Sequence, residues 1–226
     1  MKVDPIKDIE KVEQMKMELE RCDTKGMADR RLFERKRNRA LFCTGINTAL
    51  RVSDLTVLDL IDIFKEDLTF RATVGATEQK TKKYKEFAIN DKLKEELTNY
   101  ICSYFHILYD LRIGIDKINL ERLSDQEREQ IKEIVKTKPL FPSEKTAEHI
   151  SRYQVNRILK SAGERCGLEN IGTHSMRKTF GYWFYRRTKD IATLQKMLNH
   201  SSQRETMIYI GLEQEEINNA YLNFGL

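Results

Sequence analysis

Apolar positions along this chain follow two periods, and the change from one to the other outlines the fold. Behind Pro5, Ile6, Ile9, Val12 and Leu19 recur at helical spacing, which predicts an amphipathic opening helix. A second helix is expected from about 28 to 50. Between about 60 and 90 the period shortens. Ile61 and Ile63, then Phe70, Ala72 and Val74, alternate with polar residues, Gly75 interrupts, and Phe87 and Ile89 close the region. Two or three short antiparallel strands are predicted there, with 78–85 as a strand end or hairpin tip. Helix resumes behind Asp91, expected as its cap, with Leu93, Leu97, Ile101, Phe105 and Leu108 on one stripe. The span 110–138 reads as a charged insertion without chemistry, since its acids and bases alternate as on a solvated face. Within it, Ser124 and Glu127 have capping-box spacing ahead of Ile131, Ile134 and Val135, which predicts a short surface helix. Pro139 and Pro142 bracket an extended Leu140–Phe141 pair.

From Ile150 onward the pattern is helical in short pieces. Val155, Ile158, Leu159, Ala162 and Cys166 form one stripe, ended by Gly167. Met176, Phe180, Trp183 and Phe184 form the next, and Ile191, Leu194, Met197 and Leu198 a third behind Asp190. Ser202 and Glu205 give another capping box, so a new helix carries Tyr209. A last helix within 212–226 holds Ile217, Ala220, Tyr221 and Phe224. The expected fold is mainly α with a small antiparallel β-sheet (α+β), in one unit spanning 1–226.

Composition narrows the function classes. With 226 residues, 33% charged and 40% hydrophobic, the chain fits a globular protein rather than a disordered one. No stretch approaches a membrane span and the start lacks the apolar core of a signal peptide, so a cytoplasmic protein with no membrane partner is expected. Cys22, Cys43, Cys102 and Cys166 form no CxxC pair and read as small buried hydrophobes. The net charge of +5 is compatible with a polyanionic partner. Its distribution says more: basic residues gather at Arg30, Arg31, Arg35, Lys36, Arg37 and Arg39, at Lys80, Lys82, Lys83 and Lys85, and at Arg186, Arg187 and Lys189.

The chemical candidates lie in two segments. In THSMRKTFGYWFYRR, His174 and Arg177 are three apart on one helical face, with Arg177 beside the apolar stripe and aimed at a cleft. Gly181 on that face allows another group to approach closely. In KMLNHSSQRETMIYI, Asn199 takes a left-handed capping position and holds His200 at a sharp junction, and Tyr209 follows among Met207, Ile208 and Ile210. Taken singly, these are a structural histidine, a surface arginine and a half-buried aromatic.

Together they are specific. GINTALRVSDL around Arg51, EQKTKKYKEFAIN around Lys80, THSMRKTF with His174 and Arg177, LNHSS with His200, and MIYIG with Tyr209 resemble, in order, the catalytic domain of tyrosine recombinases, the phage-integrase family. The resemblance covers nearly the whole chain. It implies a site-specific recombinase or integrase of a mobile element that cleaves and rejoins DNA through a covalent 3′-phosphotyrosine, with no cofactor and no metal.

Two guanidinium forks, Arg51 and Arg177, suit the non-bridging oxygens of a phosphodiester. By the same resemblance Tyr209 is expected to be the nucleophile. By resemblance Lys80 protonates the leaving 5′ oxygen, His174 acts as base or hydrogen-bond donor, and His200 donates a further bond to the phosphate. Lys82, Lys83 and Lys85 are close enough that a two-residue hairpin shift would exchange the candidate. Asp54 reads equally as orienting Arg51 or as a helix cap. Arg35, Lys82, Lys83 and Lys178 are candidate DNA contacts.

Double-stranded DNA is the implied partner, with a homo-multimer on DNA, a monomer or multimer off it, and accessory DNA-binding proteins. The helix within 212–226 would dock into a neighbouring subunit or pack on its own core. Two departures from the family pattern stand out: Ala49 and Asn199 replace common glycines, with alanine tolerated if its position is helical and asparagine suited to a left-handed one. No separate N-terminal domain gripping the far side of the DNA is expected within this chain, since only about 25 residues precede the catalytic helices, so it reads either as a catalytic fragment or as a naturally short integrase. Two other readings share part of the evidence. A type IB topoisomerase would relax any plasmid irrespective of sequence, and a DNA-binding regulator would keep the fold without cutting, which the intact set of catalytic-type residues disfavours.

Overall fold

The computed structural model describes residues 3–21, 29–80, 82–112, 123–143, 146–212, 218 and 221–224. Ten helices and one two-stranded antiparallel sheet are named among them. Helix α1 spans Ile9–Glu20 and starts later than the Ile6 stripe suggested, because the Asp8 side chain caps it by accepting from Glu10 N. Ile6 is buried in the extended segment ahead of it. Its N–H donates to Thr179 Oγ1 at 2.8 Å and its carbonyl accepts from Trp183 Nε1 at 3.0 Å. Both partners lie on α8, Thr173–Thr188, so the opening segment is pinned to the helix that carries His174 and Arg177.

Helix α2, Asp29–Thr48, is the hub of the fold. It packs on α1, on α8 and on α5, Asp91–Tyr109, which is capped by Asn90 rather than Asp91. At the α2–α8 crossing Gly45 meets Met176 so closely that an added Cβ would lie 2.5 Å from its sulfur. Two one-turn helices follow, α3, Val52–Leu55, and α4, Leu60–Ile63.

Helix α4 corrects the strand expected at Ile61 and Ile63. Asp59 and Asp62 form a reciprocal capping box there, and this local bonding overrides the apolar alternation. The sheet is β1, Thr73–Thr77, against β2, Tyr84–Ala88, with Ala76 opposite Lys85. The turn between them is closed by Glu78 N–H to the Lys83 carbonyl and Lys82 N–H to the Glu78 carbonyl.

Helix α6, Asp125–Thr137, starts at the Ser124–Glu127 capping box and buries Ile131, Ile134 and Val135 against the main core; 113–122 of the charged stretch lie outside the described residues. Leu140 and Phe141 are fully buried. Helices α7, Arg152–Arg165, α9, Ile191–Met197, and α10, Gln203–Ile210, complete the named elements. In α10 the expected box is split. Ser202 accepts from Glu205 N, but the Glu205 carboxylate returns to Ser201 N and Oγ.

The core has two parts. The larger runs from Ile6 through α2 and α5 to Met176, and a smaller one, Ala49, Tyr182, Leu194, Leu198, Ile210 and Leu212, underlies α8, α9 and α10. Cys43, Cys102 and Cys166 are buried without disulfides, and Cys22 lies outside the described residues. Among the described residues no helix is long and apolar enough to cross a membrane. Of the expected last helix, 221–223 are helical and Tyr221, Leu222 and Phe224 are exposed; Ile217 and Ala220 lie outside the described residues.

Candidate active site

The site is built where α2 ends. Ala49 adopts a left-handed backbone, φ 55°, which corrects the expectation that its position is helical. A residue with a Cβ gives up about 1–2 kcal/mol in that conformation. Two cations hold it there: the Ala49 carbonyl accepts from Arg177 Nη1 at 2.7 Å and from Lys85 Nζ at 3.1 Å. The kink throws Arg51 into the extended cap position of α3, so its side chain projects from a turn rather than from a helix.

Arg177 is buried, 2% exposed, on the face of α8 that packs on α2. Its Nη2 donates to the Leu198 carbonyl at 2.6 Å at the end of α9. With Nη1 on Ala49, the guanidinium is locked between the ends of two helices.

Between the arginines lies a residue that the motif reading passed over. Glu78 is 1% exposed; its Oε2 is 2.5 Å from Arg51 Nη1 and its Oε1 is 3.8 Å from Arg177 Nη1. Asp54, also buried, does neither of the things expected of it. It sits in the third position of α3, and its Oδ1 accepts from Gln79 N at 2.9 Å and Ser53 Oγ at 3.2 Å, anchoring the hairpin turn.

Tyr209 faces this group from α10. Its ring is half-buried and its hydroxyl oxygen is buried. Burial pushes the phenol pKa up, while the charges of Arg177 and Arg51 pull it down. The His200 ring meets the Tyr209 ring edge-on at 4.9 Å, and Lys178 Nζ lies 5.2 Å above it.

Asn199 is left-handed, φ 51°, and delivers His200 to this position. His200 Nδ1 lies 3.1 Å from Thr206 Oγ1, whose own hydroxyl donates to the Ser202 carbonyl. The hydrogen-bond network thus assigns the proton to Nδ1 and leaves Nε2 as an acceptor in the neutral ring. Burial, opposed by Glu205 and aided by Arg177 and Arg51, lowers the His200 pKa.

His174 lies exposed in the first turn of α8. Partial desolvation by the protein packed around its ring lowers its pKa, as do the charges of Arg177, Lys178, Arg51 and Lys80.

The hairpin lysines divide. Lys80, Lys82 and Lys83 are exposed on or beside the turn, whereas Lys85 points inward from β2. Burial, then the neighbouring charge of Arg177, lowers the Lys85 pKa to about 8. The structure therefore gives the lowered lysine pKa to Lys85 and leaves Lys80 on the rim, within electrostatic reach of His174. A period-two signal was present for Glu78, which the motifs passed over, and for Lys85, which stood only as an alternative to Lys80. Val74, Ala76 and Glu78 share the inward face of β1 and its extension, as Lys85, Phe87 and Ile89 do for β2.

Arg35 does not join the site. It lies 13 residues before the end of α2, about 20 Å along the axis. Two neighbours in its basic cluster are structural: Arg37 donates to the Pro142 carbonyl at 2.7 Å, and Arg39 pairs with Glu96 at 2.8 Å and Glu20 at 2.9 Å. Among the described residues no group of three or more His, Cys, Asp or Glu side chains could hold a metal ion.

Residues 31–216 match the model of the phage integrase family. The chain is 39% identical to the probable integrase/recombinase YoeC of Bacillus subtilis over 99% of this chain and 97% of that protein. It is 28% identical to the tyrosine recombinase XerC of Thermodesulfovibrio yellowstonii, over 84% of this chain and 54% of the relative. Its fold matches that of the XerH site-specific recombinase, solved bound to a palindromic difH substrate in a post-cleavage complex, with TM-score 0.63 and 17% identity, covering 97% of this chain and 53% of that one. The chain thus spans nearly all of YoeC but about half the length of the XerC and XerH proteins. On the family match and the YoeC identity, the chain belongs to the phage integrase family, the tyrosine recombinases.

Proposed function

We propose that this protein cuts and rejoins double-stranded DNA at specific sites, with Tyr209 as the nucleophile and no metal in the reaction. The observation that carries the reading is the buried Tyr209 hydroxyl beside Arg177 and Arg51: burial pushes its pKa up, and the two arginine charges oppose that rise. In the proposed step Tyr209 Oη forms a bond to phosphorus, the bond from phosphorus to the 5′ oxygen breaks, and the 3′ phosphate remains on the tyrosine. Arg51 and Arg177 neutralise the non-bridging oxygens as charge builds. The phenolic proton passes to a neutral histidine, His174 or the open Nε2 of His200. Lys80, carried in by the hairpin when DNA docks, protonates the departing 5′ oxygen. Attack of a 5′ hydroxyl on the phosphotyrosine reverses these transfers and reseals the strand.

Lys82, Lys83 and Lys178 line the approach as backbone-phosphate contacts. Pairing of two or more copies on DNA would cover the exposed Tyr221, Leu222 and Phe224. A cytoplasmic enzyme, with accessory DNA-binding proteins adding site selectivity, completes the reading. The test is a DNA duplex nicked next to the cleavage position, which traps the covalent complex because the short product diffuses away. A protein–DNA adduct that forms at an undiminished rate in chelator is expected. Loss in EDTA with recovery on adding magnesium would remove the metal-free mechanism.

A further inference from the structure

We propose that Glu78 is an internal stand-in for the DNA phosphate: its carboxylate neutralises Arg51 and Arg177 in the DNA-free protein and is displaced when the phosphate binds. The proposal rests on the reading of these arginines as phosphate ligands. A carboxylate and a phosphodiester each spread one negative charge over two oxygens, and both fit a guanidinium fork. Glu78 presents its two oxygens to two different guanidiniums, 2.5 Å from Arg51 and 3.8 Å from Arg177.

Arg177 has no freedom to meet a phosphate elsewhere, because Nη1 and Nη2 are fixed on the Ala49 and Leu198 carbonyls. The phosphate must therefore come to the face that Glu78 now holds. Two anions in that small buried space repel one another, so the two occupancies exclude each other. Without Glu78, the DNA-free protein would hold the partly buried Arg51 and the buried Arg177 with less negative charge to offset them, that of the buried Asp54 remaining.

The carboxylate is delivered by the hairpin turn, which is closed by the Glu78 N–H to the Lys83 carbonyl and the Lys82 N–H to the Glu78 carbonyl. It stands at the end of β1, beyond the last paired residue Thr77, on a turn tied to the site through Gln79 N and Asp54 Oδ1. A small free anion makes too few contacts to evict it, whereas a duplex that also engages Lys82, Lys83 and Lys178 does. Glu78 thereby reserves the site for DNA.

The experiment is thermal unfolding of the intact chain across a series of inorganic phosphate concentrations at constant ionic strength, comparing wild type with Glu78→Gln. Glu78→Gln should gain phosphate-dependent stabilisation with an apparent affinity roughly tenfold or more above wild type, the effect of removing one opposing charge. Equal responses overturn the proposal. Should Glu78→Gln not fold, Glu78→Asp, which keeps the charge but shortens the reach, decides the matter: a response above wild type supports the stand-in, and one equal to wild type overturns it. Adduct formation on the nicked duplex is followed in parallel. A wild-type adduct together with equal phosphate responses removes the stand-in and keeps the recombinase reading. A gained phosphate response with no wild-type adduct keeps the stand-in and removes that reading.

Discussion

Lys85 Nζ donates to the carbonyls of Thr48 and Ala49, and burial beside Arg177 brings its pKa to about 8, while Lys80 stands exposed on the neighbouring turn. The two positions call for different roles. An amine bonded to two carbonyls at the end of α2 braces the kink at Ala49 and adds positive charge, whereas an exposed amine on the turn is open to a leaving group. A DNA substrate with sulfur in place of the bridging 5′ oxygen separates these roles, since a thiolate leaves without being protonated. Lys80→Ala should cleave ordinary DNA at least about 100-fold more slowly and recover on the sulfur substrate. Lys85→Ala should be equally slow on both, and its rescue by sulfur would exchange the assignments.

The histidines set an acid limit at the same scale. Both have folded-state pKa values lowered from 6.5. The unfolded chain therefore binds more protons below pH 6.5, so the stability they contribute is present above that pH and is lost as pH falls through the folded-state values. Melting temperature should drop on acidification below 6.5, and less steeply in His200→Gln; an unchanged slope would mean that His200 is not the group responsible. His200 also shows what a motif leaves out. The motif identified the residue, but its proton placement follows from Thr206, half a helix away, and no spacing rule announces that bond.

Among the elements, helix ends were the most legible part of the sequence. Ser124, Asp190 and Ser202 all cap the helices that follow them, because a short polar side chain satisfies free N–H groups wherever it stands. The misreading at Ile61 and Ile63 has the same cause in reverse: an aspartate pair closed a helical turn within an alternating pattern. Close approach was also foreshadowed. Gly181 was expected to admit a neighbour, and the neighbour is Ile210 of α10, whose Cγ2 would lie 2.7 Å from an added Cβ. This contact sets the distance between the helix carrying Arg177 and the helix carrying Tyr209. Gly181→Ala should cost about 1–3 kcal/mol in unfolding free energy through overpacking, partly offset by better helix propensity, and should slow cleavage out of proportion to the stability lost. Wild-type cleavage in this variant would show that α10 can shift without consequence.

Over the whole molecule, charge was the least legible feature. The 30–39 cluster looked like a DNA-facing surface, but Arg37 and Arg39 serve the fold through contacts with Pro142, Glu20 and Glu96, partners 19 to 105 residues away. Such partners appear only when the chain is folded. The same holds for Glu78, which reads as one more charge in a lysine-rich hairpin until α8 closes over it. What the sequence did carry was the order of the proposed site residues, since each lies in its own short segment and the fold brings the ends of α2, α8, α9 and α10 to one place. In the proposed reaction Tyr209 forms the bond to DNA. The most direct test is mass spectrometry of the peptide left on the nicked duplex after proteolysis. The linked residue should be Tyr209, and Tyr209→Phe should give no adduct; an adduct that survives this substitution, or one mapped to another residue, would contradict the assignment.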